Sequence, residues 1–98
     1  MLASSYAAFL IKQRRCADAA RVLEAAAAAP APPAAVLHLA GLSQACLGNL
    51  EVAAKYLERA EALKPDDADL HLALAEVYER TGKKAEAKRQ RTLARKQQ

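Results

Sequence analysis

The chain is expected to be all-α, built as a stack of two-helix units from six helices. Two observations predict this. Alanine and leucine dominate while glycine and aromatics are scarce, and alanine has the best intrinsic helix propensity. Small and apolar residues also recur at a fixed interval. Ala19, Ala53 and Ala87 lie 34 residues apart, as do Ala26, Ala60 and Ala94, and Gly48 and Gly82 keep the same step. A period of this length is the signature of stacked helix–turn–helix units. The 98 residues make one domain, and the repeats are expected at about 1–33, 34–67 and 68–98.

In the first unit, Leu2, Tyr6, Phe9 and Leu10 recur at helical spacing. A turn is due at Arg14-Arg15, without a glycine to help it. A second helix follows from Ala17 to Ala29, presenting Ala19, Val22, Leu23 and Ala26, and Pro30, Pro32 and Pro33 end it. The Ala/Pro tract is in register as a helix end plus a loop, a stronger reading than a flexible interdomain linker.

The second unit is the most regular. Pro33 suits a first helical turn. Val36, Leu37, Leu39, Ala40, Leu42 and Leu47 wrap the next helix in apolar surface, which requires cover on more than one side. Gly48 suits a left-handed cap and Asn49 a helix start. Leu50, Ala53, Ala54, Leu57, Ala60 and Leu63 then repeat at helical spacing, with Glu58, Arg59 and Glu61 outward.

The third unit opens on Asp66, Asp67 and Asp69, which suit a helix N-terminus better than a cation site. Leu70, Leu74, Val77 and Tyr78 make its inner face and Gly82 ends it. The last helix, from Lys84 to about Lys96, carries Arg91 where the earlier units have Leu23 and Leu57. A polar outer face there reads as the cap of an array.

These units resemble the tetratricopeptide repeat family, whose 34-residue pattern runs W-x2-L-G-x2-Y, then A-x3-F, then P. The second unit supplies Leu37, Ala40-Gly41, Gln44, Ala53, Leu57 and Pro65. The third supplies His71, Leu74-Ala75, Tyr78, Ala87 and Arg91, and the first Ala3, Tyr6-Ala7, Leu10, Ala19 and Leu23. Small residues at Ala7, Gly41 and Ala75 and along the second helices let helix axes approach closely. The resemblance, read over nearly the whole chain, implies a right-handed solenoid that binds a peptide or partner helix on its concave face. Carried over by position, that face comprises Ser4, Ala8 and Ile11, then Ala35, His38, Leu39, Leu42 and Ala45. Asp69, Leu72, Ala73, Glu76 and Glu79 complete it. The competing reading is that these leucines only complete the core. The family's carboxylate clamp needs Lys, Asn and Arg at groove sites. Here Ser4, Ala8, His38, Leu39 and Ala73 stand instead, which argues against an acidic chaperone tail as ligand.

No catalytic or cofactor pattern appears, and the chain reads as a non-enzyme with no cofactor. His38 and His71 lack a second ligand type at helical spacing. Cys16 and Cys46 fit no C-x-x-C or Cys/His pattern and read as small buried hydrophobes in a reducing, cytoplasmic setting. The start has no basic leader, and no apolar run is long enough to span a bilayer. The Ala/Arg-rich composition correlates with a GC-rich bacterial source.

Two further surfaces compete with the groove. Tyr6, Phe9 and Leu10 of the first unit suit self-association into a homo-oligomer. Lys84, Lys88, Arg89, Arg91 and Arg95, with Lys83 and Lys96, face only Glu86, giving +6 over residues 83–98 of a chain whose net charge is +4. That basic helix suits an anionic polymer, but it lacks aromatics for stacking nucleic-acid bases and an apolar face for membrane insertion. A solvated cap is the plainer reading. The leading expectation is a protein-interaction module or scaffold.

Overall fold

A computed structural model of the chain describes the backbone of residues 2–97 and the side chains of residues 5–97. Leu2, Ala3 and Ser4 of the motif and groove readings therefore have side chains outside the described residues. Six helices follow in order: α1 (Leu2–Lys12), α2 (Cys16–Ala27), α3 (Ala34–Cys46), α4 (Leu50–Leu63), α5 (Ala68–Arg80) and α6 (Lys84–Lys96). Each pairs with its sequence neighbour. In addition α1 meets α3 and α3 meets α5, whereas the backbones of α2, α4 and α6 stay farther apart and are bridged by side chains such as Gln90 and Glu61. The odd-numbered helices thus form the tighter inner layer of a curved stack, and the even-numbered ones the splayed outer layer.

The three turns inside the units are built alike. Arg14, Gly48 and Gly82 stand 34 residues apart and all have positive φ, at 62°, 87° and 82°. At each turn the next residue's N–H reaches back to a carbonyl of the preceding helix. These bonds are Arg15 to Leu10 (2.8 Å), Asn49 to Gln44 (2.9 Å) and Lys83 to Tyr78 (2.8 Å). A left-handed residue with this bond is the usual way to stop a helix and satisfy its last carbonyls. Arginine pays a steric penalty there that glycine does not. Arg14→Gly is therefore expected to raise stability by roughly 1 kcal/mol in urea denaturation, and Gly48→Ala to lower it by a similar amount. A Cβ at Gly48 would meet nothing within 4 Å, so its whole cost is conformational.

The helix starts differ. Asp67 caps α5, accepting from the N–H of Asp69 at 3.0 Å and of Leu70 at 3.3 Å. Asn49 precedes α4 but makes no side-chain cap; its amide donates to Gln44 Oε1 at 2.8 Å instead.

The core is continuous along the stack. One cluster gathers Ala7, Leu10, Ala19, Leu23, Val36 and Ala40, the next Leu37, Leu57, Leu70, Leu74, Val77 and Tyr78. Tyr56 packs against both. Helix α3 is covered on two sides, through Val36 and Ala40 on one and Leu37 on the other. At Gly41 the helices come so close that a Cβ would lie 2.6 Å from Leu57 Cγ.

Several positions depart from the apolar pattern. Tyr6 and Phe9 are 53% and 54% exposed, while Leu10, expected beside them on an exposed patch, is fully buried. Leu47 lies past the end of α3 and Leu63 in the last turn of α4, and both are exposed. Glu58 and Glu61 do not simply face solvent. Tyr78 Oη donates to Glu58 at 2.6 Å, and Gln90 Nε2 donates to Glu61 at 3.0 Å. Burial first, then the Glu58 bond, pushes the Tyr78 phenol well above its ordinary range.

The largest correction concerns the cysteines. Cys16, at the start of α2, and Cys46, at the end of α3, are joined as a disulfide with Cα atoms 6.1 Å apart. Only Cys16 is buried. The reading of both as unpaired core residues is overturned, and with it the cysteine argument for a reducing setting. The spacing of 30 residues matches no motif; only the stacking of one unit on the next brings the two thiols together.

Candidate functional site

Each odd-numbered helix spends two faces on its neighbours and leaves one toward the inner surface. On α3 the residues at that face are Ala35, His38, Leu39 and Leu42, spaced at one-turn intervals. Ala35 is exposed, and His38, Leu39 and Leu42 are half-buried. Leu39 packs against the first core cluster together with Ile11, and Ala45 and Ala73 against the second. For these four the core-completing reading holds in part. Leu42 belongs to neither cluster. Ala8 is half-buried on α1.

The acidic end of this surface comes from α5, where Asp69 and Glu76 are exposed. Asp67 and Asp69 lie near His38. Burial holds the His38 imidazole below its ordinary value of 6.5, and the two carboxylates oppose that shift. The sign follows directly. The unfolded chain takes up a proton at this residue at higher pH than the folded chain does, so the stabilising contribution present above pH about 6.5 is lost as pH falls through the lowered folded value. Wild type is thus expected to lose more stability than His38→Gln on going from neutral to mildly acid pH, as read by urea midpoints across that range.

Glu79 and Leu72, also assigned to the groove, border residues of α6. Glu79 pairs with Arg91 of α6 at 2.7 Å. Leu72, 44% exposed, lines a shallow depression of about 350 Å³ with Lys88, Arg91, Ala94 and Arg95. Lys84, Lys88, Arg91 and Arg95 fall at i, i+4, i+7 and i+11 and share one face of α6. Arg89 lies off that face, near enough to Tyr78 to favour its phenolate. A larger concavity, about 680 Å³, is elsewhere. Pro30–Pro33 and the last turn of α4 line it, and it includes none of the groove residues.

A buried polar cluster was not anticipated. His71 is 1% exposed; its Nε2 faces the Pro65 carbonyl at 2.7 Å and its Nδ1 faces Gln90 Oε1 at 2.7 Å, with Glu61 at 3.3 Å. Pro65 accepts only, so Nε2 carries a proton. The cluster joins the end of α4 to α5 and α6. A sequence signal existed: His71 and Gln90 replace Leu37 and Tyr56 one period earlier, and two polar replacements in one unit suggest a hydrogen-bonded pair. Among the described residues, no three of His, Cys, Asp and Glu gather as metal ligands would. Nor is any described helix long and apolar enough to cross a membrane.

Residues 45–82 match the TPR repeat family. The matched stretch runs from the last turn of α3 through α4 and α5. It is shorter than the near-complete reach of the motif reading, although the 34-residue step continues through the helices on either side. No curated protein matches the chain.

Proposed function

We propose that this chain, which carries tetratricopeptide repeat sequence, binds a peptide or helix of a protein partner along the inner surface of α1, α3 and α5. Repeats of this family in general mediate protein–protein interaction rather than catalysis. The observation that carries the reading is Leu42: half-buried on the middle helix and outside both core clusters, one turn from Leu39, with the exposed carboxylates Asp69 and Glu76 on the next inner helix. An apolar strip with an acidic end suits a segment that offers apolar anchors and basic neighbours. Affinity capture from cells that make the protein, comparing wild type with Leu42→Glu at equal helicity, tests it. Loss of a captured protein in the variant supports the groove; unchanged capture contradicts it.

A second reading has its own observation. Tyr6 and Phe9 occupy the positions of Ala40 and Ser43 in α3 and of Leu74 and Val77 in α5, all four of which are buried. The same face of α1 is open, so self-association through it is the alternative. Light scattering that finds a strict monomer at all concentrations sinks it.

A further inference from the structure

The step of 34 residues also shows which residues of one outer helix face the next unit. In the first unit Ala20 and Glu24 of α2 lie against Ala40 and Ser43 of α3. In the second, Ala54 and Glu58 of α4 lie by Tyr78 of α5, and Glu61 reaches His71. One step further, these positions are Lys88, Thr92 and Arg95 of α6. The corresponding position to Leu72 is His38, which sits beside Asp67 and Asp69 at the start of the following inner helix.

We propose that the α5–α6 end face is a second docking surface, distinct from the groove, that takes an acidic amphipathic helix of a protein partner. Three properties select this occupant. The face is made of the positions that in the first two units lie against the next helix. Its depression places the apolar Leu72 beside Lys88, Arg91 and Arg95, so an occupant needs an apolar anchor ringed by carboxylates. The Glu79–Arg91 pair at 2.7 Å shows that a carboxylate already sits at this rim. A nucleic acid backbone would satisfy the cations but offers nothing to cover Leu72, and charge complementarity of this kind mainly sets partner choice and association rate.

The test uses two synthetic helical peptides with the same leucine stripe, one flanked by glutamates and one by lysines, and a short DNA duplex. Binding to the full chain is read by fluorescence anisotropy, with amide chemical shifts locating the contact. The acidic peptide is expected to bind and to shift the Leu72, Lys88, Thr92 and Arg95 amides. Leu72→Ser is expected to weaken it about tenfold, from loss of the buried anchor. Lys88→Glu/Arg95→Glu is expected to weaken it at least as much, and Leu42→Glu to leave it unchanged. Circular dichroism confirms that each variant keeps its helicity. The proposal is overturned if neither peptide binds or if both bind equally. It is equally overturned if DNA binds more tightly and ignores Leu72→Ser, or if Leu72→Ser instead dissolves a dimer of the chain itself.

Discussion

Reduction of the Cys16–Cys46 bond is expected to lower the stability of the fold by about 3–4 kcal/mol, the loop-closure entropy for two residues 30 apart. For a domain of this size that corresponds to a fall in melting temperature on the order of 15 °C. The bond ties the start of α2 to the end of α3, so it fastens the first unit to the second. The loss should appear first as faster amide exchange in α1 and α2, with α5 and α6 following at higher denaturant. Thermal melts of the oxidised protein, the reduced protein and Cys16→Ser/Cys46→Ser check it. The last two should agree. Identical melts for all three would mean that the covalent link adds nothing to the packing between units.

The second large effect is at the closest helix approach. Leu57→Ala, at a fully buried side chain, is expected to cost about 3 kcal/mol. It should also reverse the sign of a second substitution. In wild type, Gly41→Ala would gain about 1 kcal/mol of helix propensity. It would also force a Cβ to within 2.6 Å and 2.7 Å of Leu57 Cγ and Cδ2. Leu57 has no room to retreat, and overpacking of this kind costs roughly 1–3 kcal/mol, so Gly41→Ala destabilises. Once Leu57 is alanine the clash is gone and the propensity gain remains, less a small cost from the Ala53 carbonyl at 3.2 Å. A double-mutant cycle in urea should therefore show strong coupling; additive values would mean that α3 and α4 do not approach so closely at Gly41.

The helices and their order were legible because the 34-residue step repeats local chemistry. Gly48, Gly82 and Asp67 act where turn and cap residues should. What the sequence left hidden depends on contacts between units. Nothing near Cys16 or Cys46 marks them as partners, since stacking alone brings them together. Tyr6 and Phe9 fit the helical period but fall on a face that only a neighbour would cover. Glu61, His71 and Gln90 look like surface residues one at a time and become a linked cluster, with His71 and Gln90 buried, only when α4, α5 and α6 meet. The proposed groove residues on α3 follow from their positions, and Leu42 is half-buried there. On α5, the pairing of Glu79 with Arg91 and the depression that Leu72 shares with Lys88, Arg91 and Arg95 depend on α6 and could not be read from α5 alone.

The most direct test of the groove is site-specific photo-crosslinking in cells that make the protein. A photoreactive residue would be placed at Leu42 on the inner surface and, separately, at Ala25, exposed on α2. The account predicts a discrete protein adduct from position 42 that is absent from position 25 and is lost when Leu39→Glu is added. Adducts of the same pattern from both positions, or from position 25 alone, would contradict it.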